Sequence, residues 1–421
     1  MKVLWITNTQ VKNDVNDCKK FREGWLTGAL GFLLTNQNIQ FSNAFPNGKK
    51  VDMENNSNIH YYSFYYDMIG MEYSENLCEQ IKAIYQKFEP DIIHIWGTEF
   101  FHTYAATEAA KRLNLQKRVI INIQGLISIY SKHYMLGIEE LKCRRTLFEI
   151  IKKRGLKRDA ELFKWRGEFE RKALKNVNHV VGRTTWDKAC VTQINPSLEY
   201  HYGGEIMRSS FYDGEKWNVR KCEKHTIFIS QATYPIKGLH FLLDALILIK
   251  ECFPHVMLNI AAEKIFEKTS RFPFVNAYML LSTYERYLYK KICDNDLWDN
   301  INFLGGLSAV QMKEQYLKAN VAVNVSTIEN SSNSITEAML LGVPMVSSYV
   351  GGSPDLIEHK VSGFLYPCDE PYMLAYYVME IFNNPGVAEE ISRNAQKYAK
   401  ERADIKKNGM LLLELYEQLN N

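Results

Sequence analysis

The chain has 421 residues, of which 46% are hydrophobic and 24% are charged. It is too long for one ordinary hydrophobic core, so we expect two domains, and its composition excludes a disordered or collagen-like protein. The formal net charge of +3 is too close to neutral to indicate wholesale nucleic-acid binding. We therefore expect no nucleic-acid partner.

The cysteines and the N-terminal stretch bear on the compartment. The 8 cysteines are scattered and form no C-x-x-C pair, which favours free thiols in a reducing compartment over a metal or disulfide framework. The opening MKVLWITNTQ has too short an apolar run for a signal peptide, and no run of about 20 apolar residues is present to span a bilayer. These features predict a cytoplasmic protein.

In chain order, short continuous apolar runs alternate with longer amphipathic stretches. The candidate strands are Val3–Thr7, Ile92–Trp96, Val119–Ile123 and His179–Val181 in the first half, then Ile227–Ser230, Val256–Ile260, Ile301–Leu304, Val321–Val325 and Pro344–Ser347. Helix-like segments between them include Leu239–Lys250, Ala309–Ala319 and Thr336–Leu341. Continuous apolar strands suit parallel sheets that are covered by helices on both faces. The pattern predicts a doubly wound α/β architecture that occurs twice.

A polar, irregular segment, EIMRSSFYDGEKWNVRKCEKH, separates the two halves. We place an N-terminal domain at residues 1–205 and a C-terminal domain at 206–404. The last helix, about 405–421, is expected to pack back on the N-terminal domain. In open parallel sheets, ligands bind beyond the carboxyl ends of the strands, so the candidate site residues are those that follow a strand directly.

The stretch ENSSNSITEAMLLGVPMVSSYVGGSPD, residues 329–355, carries two glutamates eight positions apart. Glu329 follows a predicted strand, and Ser334 with Glu337 has the S-x-x-E spacing of a capping box. A helix N-terminus is positively polarised and is a ready phosphate site. Its free N–H groups here would be those of Asn333, Ser334, Ile335 and Thr336. Taken alone, Glu337 is equally explained as a capping carboxylate, and Glu329 as a solvated loop acid.

This E-x7-E run, followed by AMLLGVPMV, GGSPDLI and SGFL, resembles the donor-binding segment of retaining GT-B glycosyltransferases, and more narrowly of family 4 (group 1). The resemblance implies two Rossmann-like doubly wound domains that face each other across a cleft. The N-terminal domain would bind the acceptor and the C-terminal domain the donor. It also implies that Glu329 faces the donor sugar as a catalytic residue, that Glu337 binds the ribose hydroxyls, and that the intervening amides hold the diphosphate.

Three further stretches fit the resemblance. In ISQATYPIKGLHFLLDAL, Lys237 stands between a strand and a helix, where its ammonium group can neutralise a leaving diphosphate without a metal ion. In INFLGGLSAV, the backbone near Leu307 would contact the nucleobase. In PDIIHIWGTEFFHTYAA, Glu99 and His102 follow the strand and are candidates for acceptor contacts, whereas His94 lies inside the strand and is interpreted as a core histidine.

Three donor-binding candidates depart from the family pattern. Gly24 stands alone where a Gly-Gly turn is usual, Gln124 takes the place of a histidine that contacts the sugar, and Gln231 takes the place of an arginine. A glutamine can bond a hydroxyl or a carbonyl but supplies no charge. These departures keep a second hypothesis open, a catalytically silent glycosyltransferase-like subunit that binds nucleotide or acceptor. A nicotinamide-dependent oxidoreductase is disfavoured because no G-x-G-x-x-G follows the first strand.

Two stretches bear on the acceptor. YHYGGEIMRSSFY and VVGRTTWDKA resemble family members that act on bacterial surface polysaccharide, and Arg183 in the second stretch is a candidate for a phosphate contact or an ion pair. In residues 151–176, Lys and Arg outnumber the acids. This stretch is interpreted either as a solvated helix face or as a peripheral contact with anionic membrane lipid.

Together the motifs predict a glycosyltransferase of the hexosyltransferase type (EC 2.4). Its donor would be a nucleotide-diphosphate sugar, with UDP as the expected nucleotide. Its acceptor would be a glycan or lipid-linked glycan of surface or capsular polysaccharide biosynthesis, met at the inner face of the cell membrane. We expect no cofactor and no metal ion, because Lys237 and the helix amides would supply the positive charge.

Overall fold

The computed structural model describes residues 1–11, 24–54, 59–67, 72–138, 149–150, 155–232, 234–262 and 281–420. The chain divides into two compact units. The first unit comprises Met1–Ser131, Leu162–Arg208 and Arg402–Asn421. The second comprises Lys132–Glu161 and Ser209–Glu401.

The first unit is built on a mostly parallel sheet. Its strands are β1 Lys2–Ile6, β2 Gln40–Pro46, β3 Asp52–Glu54, β4 His60–Phe64, β5 Ile92–Trp96, β6 Val119–Asn122, β7 His179–Gly182 and β8 Glu199–Tyr202. They lie in the order β3-β4-β2-β1-β5-β6-β7-β8, and only the β3–β4 pair is antiparallel among these described strands.

The second unit is built on a parallel sheet. Its strands are β9 Thr226–Ile229, β10 Met257–Ile260, β11 Ile301–Phe303, β12 Val321–Asn324, β13 Met345–Ser348 and β14 Phe364–Tyr366. They lie in the order β11-β10-β9-β12-β13-β14. Strands β9 and β12 are therefore central, and most residues of these short strands are buried.

Helices follow most of the strands. They are α1 Gly24–Leu33, α2 Glu75–Phe88, α3 Phe101–Arg112, α4 Ile127–Tyr130, α5 Leu156–Lys175, α6 Thr185–Ile194, α7 Leu239–Cys252, α8 Thr283–Asp294, α9 Ala309–Lys318, α10 Asn333–Leu341, α11 Ser353–Leu356, α12 Pro371–Asn383, α13 Pro385–Arg402 and α14 Ile405–Asn420. Within the described residues, no helix is long and apolar enough to span a bilayer.

The first sheet is buried on both faces. Along β1, Leu4 and Ile6 enter one hydrophobic cluster, while Val3 and Trp5 enter the other. Because successive side chains of a strand point to opposite faces, both faces of this strand must be covered. This explains why the strand appears in the sequence as a continuous apolar run.

The C-terminal helix α14 packs on the first sheet through Tyr416. The Tyr416 hydroxyl accepts a hydrogen bond from Trp5 Nε1 at 2.9 Å and lies 2.6 Å from His94 Nδ1. All three side chains are fully buried, and burial lowers the pKa of His94 to about 3. His94 is thus a neutral core histidine, as its position inside a strand indicates.

The prediction of two parallel-sheet α/β domains is confirmed. Each predicted strand overlaps a strand of the structure, whereas β2, β3, β4, β8 and β14 were not predicted. Strands such as HYYSF and EYHY mix polar and aromatic residues, and β14 has only 3 residues. The other four strands lack the continuous apolar run on which the prediction relied, and β14 is apolar but too short to stand out.

The contacts assign residues 132–161 to the second unit, although the sequence-based division placed them in the first. Backbone carbonyls of this segment contact side chains of the second unit. The carbonyl of His133 accepts a hydrogen bond from Thr327 Oγ1 at 3.1 Å, and the carbonyl of Leu136 lies 2.9 Å from His240 Nε2. The amino-acid composition does not change near residue 132, so the sequence gives no sign that this segment belongs to the second unit.

Candidate functional site

The central strands β9 and β12 of the second sheet lie side by side, with Ile227 opposite Val321. Because they are parallel, their carboxyl ends meet at the same edge of the sheet, which is where ligands bind in such folds. The chain leaves β9 through Ser230 and Gln231, and it passes through Ser326 shortly after β12.

The loops that follow these two strands are held together by backbone contacts. Thr327 N donates to Ile236 O at 2.7 Å. Gly238 has a φ of +69°, and a Cβ at this position would overlap with the carbonyl oxygen of Val325. A glycine is required at such a left-handed close approach. The Lys-Gly pair therefore places Lys237 beside the loop that follows β12.

Lys237 forms an ion pair with Glu329. The distance from Nζ to Oε2 is 2.7 Å, and the side chains are 15% and 11% exposed. Burial disfavours the charged ammonium group, but the Glu329 carboxylate outweighs this effect and raises the pKa of Lys237 above its ordinary value. The lysine is therefore charged at neutral pH. The sequence predicted both residues for the site but did not predict their pairing.

Glu329 is held by a contact within its own loop and by the turn that follows β13. Ser326 Oγ donates to Glu329 Oε2 at 3.3 Å, and Gly352 N donates to the Glu329 carbonyl at 3.0 Å. Gly351 has a φ of +50°, and a Cβ there would overlap with the same carbonyl oxygen. The GGSPD turn thus packs directly against the backbone of Glu329 and holds it in place.

The helix after Glu329 begins earlier than predicted. Helix α10 begins at Asn333, its N-cap is Ser332, and the Ser332 side chain makes no capping hydrogen bond. The predicted capping box between Ser334 and Glu337 is wrong, because Ser334 is already the second helical residue. Instead, Ser332 Oγ lies 2.8 Å from Ser334 Oγ and accepts a hydrogen bond from Asn324 Nδ2 at 2.9 Å.

The first four backbone N–H groups of α10 fall into two pairs. Ile335 N and Thr336 N donate to Ser332 O at 3.1 and 3.3 Å, so they are not available to a ligand. Within the described chain, no acceptor bonds the backbone N–H of Asn333 or Ser334. These two donors, with the positive end of the helix dipole, can bind an anion.

A cavity at this edge brings several predicted residues together. It is lined by Ile229, Ser230, Gln231, Lys237, Val323, Asn324, Val325, Ser326 and Ser334. Gln231, Lys237 and Ser334 were predicted from the sequence, whereas Asn324 and Ser326 were missed. Their position at the carboxyl end of β12 is the signal that could have identified them.

Leu307 and Glu337, which were also predicted for the donor site, do not line the cavity. Leu307 is half-buried in the loop between β11 and α9. Glu337 lies on α10 about one turn after Asn333 and is 7% exposed. Their roles in binding the base and the ribose stay predictions.

The acceptor candidates lie in the first unit, after β5. Glu99 is half-buried, and its carboxylate folds back over Gly97. His102 is fully buried, with Nδ1 2.8 Å from the Tyr66 hydroxyl and its ring stacked on Phe100. Burial, aided by Arg166, lowers the pKa of His102 to about 3. Contact between His102 and an acceptor would require its neighbours to move.

Gln124, after β6, is held by its own unit. Its Nε2 donates to Asn122 Oδ1 at 2.6 Å, and Arg183 donates to its carbonyl and to its Oε1 at 3.2 and 3.3 Å. Arg183 also forms a buried ion pair with Glu205. Arg183 is therefore a structural residue here rather than a surface ion pair. Gly24, which was also predicted for the donor site, is the first residue of α1.

Glu170, on α5, was not predicted. Its carboxyl group accepts from the backbone N–H groups of Ile127 and Ser128 at 2.8 and 3.0 Å, at the start of α4. It also lies 2.6 Å from Thr98 Oγ1, whose hydroxyl donates to Gly125 O at 2.7 Å. Complete burial raises the pKa of Glu170. A glutamate inside a helix gives no sequence signal for such a role.

Metal-ligating clusters lie elsewhere in the described chain. Groups of three side chains whose ligand atoms could share one ion occur at His179, Glu199 and His201, and at Glu75, Cys78 and Glu79. Neither group includes a residue that lines the cavity beside Lys237.

Comparison with known proteins identifies the domain that carries this site. Residues 213–402 match the sequence profile of the family "Glycosyl transferases group 1". An uncharacterized glycosyltransferase of Methanocaldococcus jannaschii is 28% identical over 198 residues, which are 45% of this chain and 45% of that protein. The amylovoran biosynthesis glycosyltransferase AmsK of Erwinia amylovora is 32% identical over 103 residues, which are 23% and 25%. The chain thus matches less than half the length of these relatives.

A solved structure extends the likeness to the whole fold. Anabaena HepE in complex with UDP-glucose is similar over 99% of this chain and 100% of that chain, with a TM-score of 0.66 and 17% identity. At this identity the likeness shows the fold. The chain has the GT-B fold, and its residues 213–402 match the glycosyltransferase group 1 family.

Proposed function

We propose that the chain is a retaining family 4 glycosyltransferase of the hexosyltransferase type. It transfers a sugar from a nucleotide-diphosphate sugar, with UDP as the nucleotide, to a glycan acceptor. The observation that carries the proposal is the cavity at the ends of β9 and β12, where Lys237 and the N-terminus of α10 come together.

The leaving diphosphate is the group that this cavity serves. When the glycosidic bond of the donor breaks, negative charge develops on the diphosphate. The Lys237 ammonium group and the N–H groups of Asn333 and Ser334 are fixed donors that stabilise this charge without reorganising. One such donor typically contributes about 10²- to 10³-fold in rate. These positive groups make a divalent metal ion unnecessary at this position.

The carboxylate of Glu329 has two roles in this proposal. In the free protein it keeps Lys237 charged and in place through the 2.7 Å ion pair. With donor bound, Lys237 turns to the diphosphate and Glu329 contacts sugar hydroxyls near the reacting carbon. The Gln231 side chain forms a hydrogen bond to the diphosphate but adds no charge. Glu337 binds the ribose, and the backbone at Leu307 contacts the base.

The similarity of the fold to a protein solved with UDP-glucose supports a UDP-linked donor. The partial similarity to an amylovoran biosynthesis glycosyltransferase supports an acceptor of the polysaccharide class, free or carried on a lipid. The first unit binds this acceptor, with Glu99 as the candidate contact. We place the reaction in the cytoplasm, in surface polysaccharide biosynthesis.

We infer a peripheral membrane contact from the exposed basic residues of helix α5. Its Lys157, Lys164, Lys172 and Lys175 are exposed, and Trp165 is 43% exposed. Each basic residue near an anionic lipid surface contributes about 1 kcal/mol. Co-sedimentation with vesicles of anionic lipid, lost at high salt or with neutral lipid, is the expected result. Absence of binding to anionic vesicles would remove this part of the proposal.

The enzymatic test uses purified full-length protein with a panel of UDP-, GDP- and ADP-sugars and an oligosaccharide acceptor. Release of nucleoside diphosphate together with a labelled, retained-configuration product is expected with a UDP-sugar. Glu329→Gln should abolish transfer while leaving the unfolding transition near that of wild type. Binding of a nucleotide-sugar with no transfer to any acceptor would instead identify a silent partner subunit, the hypothesis that Gln124 and Gln231 left open.

A further inference from the structure

Three side chains of metal-ligand type meet on one face of the first sheet. His179 is the first residue of β7, and Glu199 and His201 lie on the neighbouring strand β8. The parallel register places His179 opposite Glu199. Because alternate residues of a strand share a face, Glu199 and His201 point to the same side as His179. The neighbouring strands β7 and β8 thus place two imidazoles and one carboxylate close together.

The distances among the three ligand atoms fit a single ion. His179 Nδ1 lies 3.2 Å from His201 Nε2 and 3.5 Å from a Glu199 carboxylate oxygen. The other Glu199 oxygen lies 3.8 Å from His201 Nε2. Zinc is bound by histidine nitrogen and carboxylate oxygen at about 2.0–2.2 Å in a tetrahedron, so its ligand atoms lie about 3.4 Å apart. The three observed separations of 3.2, 3.5 and 3.8 Å are all within about 0.4 Å of that value.

The cluster is partly buried and faces solvent on the side of Glu199. The imidazoles are 14% and 15% exposed, whereas Glu199 is 55% exposed. The exposed side of the cluster leaves room for a water molecule as fourth ligand.

We propose that His179, Glu199 and His201 bind one divalent ion of the zinc class. His179 stands at the amino end of β7, whereas Arg183 and its contacts follow the carboxyl end of the same strand. The ion therefore does not belong to the edge of the sheet where ligands of the reaction bind. Its role is structural: it ties β8, the last strand of the sheet, to β7.

The experiment measures zinc affinity of the full-length protein by competition with a chromogenic chelator. It compares wild type with His201→Ala and with the conservative Glu199→Gln. The matched control is His60→Ala, since His60 Nε2 also contacts a carboxylate, Asp52 Oδ1 at 2.8 Å, but has Lys87 rather than a second imidazole beside it. Thermal unfolding without zinc establishes that each variant is folded.

We expect one zinc ion to bind to wild type and to His60→Ala, with affinity lowered at least 10-fold in His201→Ala and Glu199→Gln. Zinc should raise the melting temperature of wild type more than that of His201→Ala, because it binds the native state. Equal zinc affinity in wild type and both cluster variants would overturn the proposal. So would failure of wild type to bind zinc, which would identify the cluster as a hydrogen-bonded histidine pair.

Discussion

The two units use the polar residues beside their strand ends in different ways. In the second unit, Lys237 and Glu329 bond to each other's side chains beside a cavity. In the first unit, Arg183 donates to the carbonyls of Ile123 and Gln124, and Glu170 accepts from backbone N–H groups at the start of α4. Equivalent positions in the same kind of sheet thus serve different purposes.

The two kinds of hydrogen-bonded contact differ in whether a bound ligand can replace them. A side chain that bonds to backbone groups holds a loop in place, and removing it leaves buried donors or acceptors without partners. Two side chains that bond to each other can separate when a ligand supplies new partners of the same charge. Lys237 and Glu329 are therefore the groups expected to act on a ligand. Glu170 bonds backbone N–H groups, and Arg183 bonds two backbone carbonyls in addition to its ion pair with Glu205, so both position loops.

The largest expected effect on activity comes from removing the Lys237 ammonium group. Lys237→Ala should lower kcat for sugar transfer by about 10²- to 10³-fold, because it removes one fixed donor to the leaving diphosphate. Steady-state kinetics measures this effect. The matched control is Lys291→Ala, whose ammonium group pairs with Asp244 at 2.5 Å in the same unit. Equal losses in both variants would show that the effect is not specific to the cavity.

The largest expected effect on stability comes from a substitution in the first unit. Arg183→Ala leaves Glu205, whose side chain is 8% exposed, without its ion-pair partner, which costs about 3–5 kcal/mol of stability. Urea unfolding measures this loss. Binding of nucleotide-sugar should be retained under conditions where the variant is folded, because the donor cavity lies in the second unit. Loss of donor binding without loss of stability would contradict the positioning role.

Buried histidines predict a smaller effect that depends on pH. The pKa values of His94 and His102 are lowered to about 3 from an ordinary 6.5. Below pH 6.5 the unfolded chain binds protons that the native state does not, so stability falls as pH falls from 6.5 towards 4.5. Each histidine contributes about 1.4 kcal/mol per pH unit.

Urea unfolding at a series of pH values checks this prediction. His102→Asn should reduce the slope of stability against pH by the contribution of one histidine, whatever it does to stability at pH 7. An unchanged slope would show that His102 is protonated in the native state.

The smallest expected effects come from two serine substitutions in the second unit, one in the cavity lining and one at a helix cap. Ser334→Ala removes a hydroxyl from the cavity lining and should weaken donor binding by about 0.5–1.5 kcal/mol. Ser282 caps α8 through a complete capping box with Glu285, so Ser282→Ala should cost about 1 kcal/mol of stability and leave donor affinity unchanged. Titration calorimetry and urea unfolding measure the two quantities. The opposite pattern would contradict the assignment of Ser334 to the site.

The second unit was the more predictable from sequence because its signals are local. Glu329 and Lys237 each follow a buried apolar strand, and the fold then brings the two strand ends together. Helix α10 was predicted, but its first residue was not, because Ser332 and Ser334 are both suitable N-cap residues. The choice depends on Asn324, which contacts both serine hydroxyls and lies on another element.

The first unit was harder to predict because its networks join distant parts of the chain. Asn408 donates to the carbonyl of Glu205 at 3.1 Å, and Gly204 is a glycine because a Cβ there would overlap with the Asn408 side chain. The YHYGGEIMRSSFY motif therefore provides close packing with the C-terminal helix. A single sequence contains no signal for a contact between residues about 200 positions apart.

The most direct test of the donor site is a crystal structure of the full-length protein with a non-hydrolysable UDP-sugar. The diphosphate should lie within hydrogen-bond distance of Lys237 Nζ and of the backbone N–H groups of Asn333 and Ser334, with Glu329 turned to the sugar. A UDP-sugar ordered elsewhere, with the Lys237–Glu329 pair intact and the cavity empty, would contradict the proposed function.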